Sequence, residues 1–441
     1  MNLSGWGRYP VLETELYAPR DLDALQGILR GQPSVIARGN GRAYGDSAIG
    51  RPATVDMRHF NRMLSFDPDR GQLVAEAGVR LCDILETFLP KGWFPAVTPG
   101  TKYVTLGGMI AADVHGKNHH RDGSFGAFVD WIDVLGSDGH IRVCSRDRNR
   151  DLFEWTLGGM GLTGIILRAA IRLRPVESAW IRQTTVATAS LDETMAAFEA
   201  ADASHYSAAW IDCLARGKSL GRSLLQLGEH ASLAELDPWQ REYPYHVPPR
   251  RRLSVPVDLP GATLNRYSVG AFNAVYYRAG QRQRTSRLVG WDNYFYPLDA
   301  ILGWNRIYGR RGFVQFQCVL PLHRAEAGLA DLLRAVSASG AGSFLAVLKK
   351  LGAQESRFSF PMAGYTLALD FPVSKGIGDL MKHLEAIAST HKGRFYLAKD
   401  ARLDAETFHR TDPRGGEMRT LRAEQGWAER FKSAQSDRLS L

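Results

Sequence analysis

Eleven residues near the start of the chain, Ala37-Arg38-Gly39-Asn40-Gly41-Arg42-Ala43-Tyr44-Gly45-Asp46-Ser47, constrain the fold more than any other stretch. They follow a short apolar run, Ser34-Val35-Ile36-Ala37, of the kind that forms a strand. Glycine at 39, 41 and 45 lets the backbone fold tightly and turn several N–H groups toward one point. Such a nest suits an anion, a pyrophosphate for example. The run is not the dinucleotide fingerprint of a Rossmann fold. Its third glycine comes one residue late, and no clear helix follows through Gly50-Arg51-Pro52. Taken alone, these residues read equally as a plain surface loop.

Two further glycine blocks narrow the choice. In the segment from Pro99 to His120, Gly107-Gly108 begins a small-residue helical stretch whose first N–H groups are free to face an anion or a ring. The same block ends in His115, His119 and His120, and histidines four apart can share a helix face around a metal. No third acidic or cysteine ligand has a matching spacing, and Gly116 and Asn118 weaken a helix there. Solvated or core histidines are the simpler reading, and no metal is expected. Near the middle of the chain, Gly158, Gly159, Gly161 and Gly164 precede an apolar strand, so backbone lies close against something flat or a tight helix-to-strand connection is formed.

Around these blocks the pattern is α+β. Strands are predicted at 34–37, 53–57, 72–77 and 165–173, a helix over 81–89, and a hairpin turn at 137–140 between 131–135 and 141–144. Beyond about residue 179 the composition shifts to more aromatics and longer polar loops. Helices over 325–338 and 377–390 each precede a candidate strand, at 343–348 and 394–397. Two stretches, 243–252 and 278–287, read as Arg-rich loops. At 441 residues, two domains are the default.

Cysteines 82, 144, 213 and 318 lie far apart, which fits buried reduced thiols and argues against a zinc or disulfide framework. No secretory leader and no apolar run of spanning length is visible, so a cytoplasmic or peripheral inner-membrane location is expected. The net charge of +9 favours an anionic partner, or else reflects arginine-rich solvated faces. No P-loop, HExxH, GxSxG or kinase set is present.

In this order the three blocks resemble the FAD-binding half of the vanillyl-alcohol-oxidase, or PCMH-type, flavoprotein superfamily. The strings GRAYGDS, PGTKYVTLGGMIAADVHGKNHHRDGSFG, GGMGLTGII, WNRIYG, FVQFQ and AKDARL are similar to those of the flavoprotein subunits of polyprenylphosphoryl-ribose 2′-epimerases, across nearly the full chain. The resemblance implies a two-part FAD-binding domain, 1–178 with a return at 394–441, enclosing a substrate-binding domain at 179–393 built on an antiparallel sheet flanked by helices. It places pyrophosphate and ribityl contacts on Ala37, Arg38, Gly39, Asn40, Gly41, Arg42, Ala43, Tyr44, Gly45, Asp46 and Ser47, and on Gly100. It places the flavin ring against Thr105, Leu106, Gly107, Gly108, Ala112, Asp113, Val114, His115, Ile166 and Tyr396. Lys117, Gln315, Gln317, Ala368, Asp370 and Lys399 fall on the substrate side, with Lys399, Lys117, Tyr44 and Gln317 as the catalytic candidates.

Two departures matter. Where members with covalently linked FAD carry a His after the RGxG run, Arg42 stands here, which implies non-covalent FAD. Where mycobacterial relatives carry a pocket Cys, Ala368 stands here, so that thiol is not needed for hydride transfer and reagents that capture it should not bond. The implied activity is oxidation of the 2′-hydroxyl of a polyprenyl-phosphoryl ribose, a lipid-linked phospho-sugar. An NAD(P)H-dependent keto-sugar reductase would be the pathway partner, and no nucleic acid is involved. A soluble sugar, aldonolactone or alditol oxidase using dioxygen is the alternative. The Arg-rich stretches near 250 and 280 are candidates to hold the lipid phosphate and meet a membrane.

Overall fold

The computed structural model describes residues 1–261, 263–283 and 286–441. A small parallel sheet comes first, with Ala53–Asp56 between Glu15–Tyr17 and Val35–Arg38. Leu25 and Leu29 of the helix Leu22–Gly31 bury against Val35, Ala53 and Val55. Residues from far along the chain close this sheet. The Val35 amide donates to the Arg430 carbonyl at 2.8 Å, and the Arg430 guanidinium donates to the carbonyls of Gln32 (2.8 Å), Pro33 (3.0 Å) and Leu29.

The second sheet is antiparallel and is organised on Ile165–Pro175, which pairs with Val129–Leu135 on one side and Gln72–Glu76 on the other. The predicted hairpin is present: Ile141 faces Leu135, Cys144 faces Ile132, and Gly139 takes the left-handed φ of 80° that the turn requires. Leu81–Phe88 and Leu106–Ala111 bury Leu81, Ile84, Leu85, Leu106, Met109 and Ile110 in the same core.

Eight antiparallel strands make the third sheet, in the spatial order Arg287–Gly290, Trp180–Thr188, Ser223–His230, Tyr206–Ile211, Ala346–Leu351, Gly364–Pro372, Phe313–Pro321 and Arg394–Phe395. The period of two gives this sheet two chemically different faces. Val314, Phe316, Cys318 and Leu320 join Tyr365, Leu367, Leu369 and Phe371 in a core shared with the helices Leu191–Ala200, Leu322–Ser339 and Ile377–Thr390. Gln315, Gln317, Thr366, Ala368, Val347 and Lys349 alternate with them and turn to the opposite side, where they line a cavity. The chain is thus α+β, with an antiparallel sheet flanked by helices, as the sequence implied.

Some local expectations change. The stretch 278–287 is not one loop. Arg278 lies in the last turn of the helix Arg266–Gln281, and Arg287 opens a strand; residues 284 and 285 of that stretch lie outside the described residues. The strand expected at 343–348 is displaced to Ala346–Leu351. Ser343 Oγ donates to the Leu345 carbonyl at 2.6 Å and accepts from the Asp370 amide at 2.8 Å, so a turn replaces ladder pairing there. The strand expected at 394–397 stops at Phe395, because the amides of Lys399 and Asp400 both fold back onto the Tyr396 carbonyl. All four cysteines are buried and unpaired by disulfides. Among the described residues, no helix is long and apolar enough to cross a membrane.

Candidate active site

Between the glycine blocks and this face of the eight-stranded sheet lies a cavity of about 910 Å³. At one end is the loop that follows Val35–Arg38. Gly41 sits at φ 60°, and the Arg38 guanidinium beneath it donates to the Ser4 carbonyl at 2.7 Å. Tyr44 N–H is committed to the Ala398 carbonyl at 2.9 Å. The amides of Gly39, Asn40, Gly41, Arg42 and Ala43 have no acceptor among the described residues, yet all five residues line the cavity. A row of unsatisfied N–H groups is costly unless water or a ligand accepts them. This row fits the pyrophosphate of the implied FAD.

The next wall comes from the second and third glycine blocks. Gly107, Gly108, Ala112, Val114, His115, Gly161, Gly164 and Ile166 line it. Tyr396 crosses from the end of the large sheet, its hydroxyl donating to the Ala112 carbonyl at 3.1 Å and its ring stacked on Phe360 at 4.6 Å. The His115 ring is buried 5.4 Å from that of Tyr396, with Nε2 3.2 Å from the Gln317 amide nitrogen and Nδ1 unpartnered. Burial, reinforced by the charges of Lys349, His119 and Lys399, holds His115 well below the usual imidazole range, so it is neutral. His119 instead faces Gln354 Oε1 at 2.8 Å, and His120 donates to the Ser204 carbonyl at 2.8 Å. The three histidines therefore serve three separate contacts.

Lysines dominate the remaining wall. Lys117 Nζ donates to the Tyr294 carbonyl at 2.5 Å and lies 4.0 Å from the centre of that ring. Burial, with repulsion from Lys349, lowers it to about 7. Lys349 has no hydrogen-bond or ion-pair partner among the described residues, and burial lowers it to about 8. Lys399 Nζ sits 3.7 Å above the Tyr44 ring. Burial pushes it down while the nearby Asp370 carboxylate pulls it up. Burial and Asp370 together hold the Tyr44 phenol well above its usual range, so it is a donor and not a base. Three lysines from separate parts of the chain thus line one cavity, and only Lys399 has a carboxylate, Asp370, drawing it toward the charged form.

Most of the residues singled out from the sequence line this cavity; five do not. Gly45 packs its backbone against that of Asp400 and Ala401, where a Cβ has no room. Asp46 pairs with Arg438 at 2.7 Å. Leu106 is wholly buried in the second core. Asp113 accepts from Ser124 Oγ at 2.6 Å and the Gly126 amide at 2.7 Å, fixing the turn below His115. Asp370 is fully buried and accepts from the Gln315 amide and, at 3.4 Å, the Tyr308 hydroxyl, so it stands behind Gln315 and not in the cavity. In the other direction, Lys349, Trp6, Trp210, Tyr276, Arg287 and Trp304 line the cavity and were not singled out. Alternation along Ala346–Leu351 marks Lys349 once the strand is placed correctly.

Arg42 also lines the cavity. Its guanidinium stacks over the Trp6 ring at 4.1 Å and faces the Tyr103 ring at 5.3 Å.

Comparison with known proteins agrees with this geometry. Residues 16–145 match the FAD binding domain family. The chain is 35% identical over 430 residues to a decaprenylphosphoryl-beta-D-ribose oxidase of Mycolicibacterium smegmatis, covering 95% of this chain and 93% of that one. It is 32% identical to an uncharacterised protein of Streptomyces coelicolor, covering 82% of this chain and all of that one. Cytokinin dehydrogenase 2 of Arabidopsis thaliana is 30% identical over 34% of this chain and 30% of its own. The chain is an FAD-dependent oxidoreductase and belongs to the PCMH-type flavoprotein family that includes the decaprenylphosphoryl-β-D-ribose oxidase.

Proposed function

We propose that the chain oxidises the 2′-hydroxyl of a polyprenylphosphoryl-β-D-ribose to the 2′-keto sugar, with FAD bound non-covalently, and that a separate NAD(P)H-dependent reductase completes the epimerisation to arabinose. On this reading 1–178 and 394–441 hold the cofactor and 179–393 the sugar. The observation that carries it is the joining of an uncommitted amide nest to a lysine-walled cavity, in a chain alike along nearly its whole length to an oxidase of that substrate.

Bound FAD supplies the acceptor for the hydride that leaves the carbinol carbon. The chain's own residues must then remove the hydroxyl proton and steady the negative charge that develops. Of the three lysines, only Lys399 is drawn back toward the charged form by a carboxylate, Asp370. In its charged form it faces developing negative charge. Lys117, lowered to about 7 with no carboxylate to support it, is neutral often enough at neutral pH to accept the proton. Gln317 lies in register with Ala368 and bonds Thr366 Oγ1 at 3.2 Å, so its amide is fixed to orient a sugar hydroxyl.

Two expected results follow. The purified protein shows a flavin absorption spectrum between about 300 and 550 nm, and acid precipitation releases the yellow colour to the supernatant. Colour retained in the pellet would undo the Arg42 argument and bring forward the soluble-sugar oxidase. That enzyme would turn over water-soluble sugars with release of hydrogen peroxide, in place of a lipid-linked ribose with an artificial acceptor.

Lys117 as proton acceptor fixes the sign of a pH effect. The amine is protonated and inactive below its pKa, so kcat/KM falls about tenfold per pH unit below about 7, and it falls again on the alkaline side as Lys399, also lowered to about 7, loses the proton it needs. Lys117→Met should abolish the acid limb along with most of the activity. A profile unchanged in shape in the variant would move the proton acceptor elsewhere.

A further inference from the structure

The helix Arg266–Gln281 has a face that the protein does not cover. Val269, Asn273, Tyr277 and Gly280 point inward and are buried. On the outward side Tyr267 is 72% exposed and Val275 67%, with Ala271 and Ala279 exposed between and beyond them. An exposed stripe of this kind on a helix is apolar where a solvated face is normally polar. Nearby, Leu253 and Val257 are also exposed, at 56% and 62%. Leu253 pairs in parallel with Ile301, a residue of the cavity wall.

The charge around this apolar surface is mostly positive. From Tyr243 to Trp291 the chain carries eight arginines and a single acidic residue, Asp258, which is itself paired with Arg8 at 2.5 Å. Arg251, Arg252, Arg266, Arg278 and Arg282 are exposed and form no ion pair with any described residue. Like charges oppose a second copy of the chain here, whereas an anionic surface complements them. The same helix also walls the cavity: Tyr276 and Phe272 line it, and Phe272 is 37% exposed, so it stands at the rim.

We infer that the outward face of the helix Arg266–Gln281, with the adjoining segment at 253–257, is a docking surface for an anionic phospholipid bilayer, which sets the rim of the cavity on the lipid. Apolar side chains enter the headgroup boundary, arginines contact lipid phosphates, and a lipid-linked sugar reaches the cavity without leaving the membrane. This rests on the reading of the substrate as lipid-linked.

The test is flotation of the FAD-loaded full chain with vesicles of phosphatidylcholine alone or rich in phosphatidylglycerol, with turnover of a short-chain polyprenylphosphoryl ribose measured in detergent. The wild type should float with the anionic vesicles and be released by salt. Arg278→Gln/Arg282→Gln should weaken partitioning by about fivefold for each charge removed. Tyr267→Ser/Val275→Asp should weaken it at least as much. All variants should keep wild-type flavin content and detergent turnover, since these side chains are exposed and do not line the cavity. Equal flotation of wild type and variants, or none with anionic vesicles, would overturn the docking surface. Salt-sensitive flotation lost in both variants, with no turnover of the lipid-linked ribose by any protein, would sink the substrate reading and leave the surface standing.

Discussion

Lys399→Met is expected to lower turnover of a polyprenylphosphoryl ribose by about 10²–10³-fold, the usual cost of removing a preorganised group that meets developing charge in an enclosed site. The position explains the size. The turn in which the amides of Lys399 and Asp400 return to the Tyr396 carbonyl brings Nζ over the Tyr44 ring and within the field of Asp370. Removing the cation leaves Asp370 buried without its nearest positive charge. Burial already raises that carboxyl, so it takes up a proton instead of staying ionised. Gln315, which donates to Asp370, then loses a charged acceptor and its hold on the pocket wall loosens. Flavin retention should therefore weaken along with turnover, read as the ratio of flavin to protein absorbance after gel filtration. Lys399→Arg should restore retention more than rate, because charge returns without the amine's reach. Turnover of Lys399→Met within threefold of wild type would remove this lysine from the chemistry.

Gly39→Val is expected to give protein purified almost free of flavin. A Cβ at 39 would overlap Thr105 Oγ1, and Cβ and Cγ2 of the same threonine lie 3.1 and 3.2 Å away, so rotating that side chain does not clear the space. Gly39 and Thr105 bring two of the glycine blocks into contact, and the loop must shift to admit the extra carbons. Overpacking of this kind costs about 1–3 kcal/mol, and it falls on the loop whose amides at 39–43 have no acceptor among the described residues. The fold outside this contact should persist, with a thermal midpoint lowered by a few degrees at most relative to wild-type apoprotein. Gly39→Val purified with a full complement of flavin would show that the nest does not hold the cofactor.

What could be read ahead of the structure follows from how local each signal is. The nest was legible because three glycines in seven residues leave few alternatives, and the hairpin at 137–140 because its turn residues lie between clean alternating runs. The face of the eight-stranded sheet was less so. Gln315 and Gln317 were reached by resemblance, whereas Lys349 was missed: the strand was expected to end at 348, and a one-step error in a period of two hides which side chains turn to the cavity. Asp370 shows the reverse. It alternates correctly with Thr366 and Ala368, but Gln315 and Tyr308 cover it, and only three-dimensional packing reveals which polar group stands in front. Residues near 278–287 looked like loop because their arginines obscured a helix whose buried face, Val269, Asn273, Tyr277 and Gly280, is small and partly polar.

The order of synthesis has a consequence for a site assembled this way. A chain emerging from the ribosome folds its early segments first, and here the early segments supply the amide nest, the glycine walls and Lys117. The residues that close the same cavity, Tyr396 and Lys399, come some 280 positions after Lys117; the bonds from Arg430 to the first sheet and from Arg438 to Asp46 come later still. Until then Asp46 lacks its guanidinium and the small parallel sheet lacks an edge partner. A chain held before residue 396 would therefore lack Tyr396 and Lys399, two of the walls of the cavity.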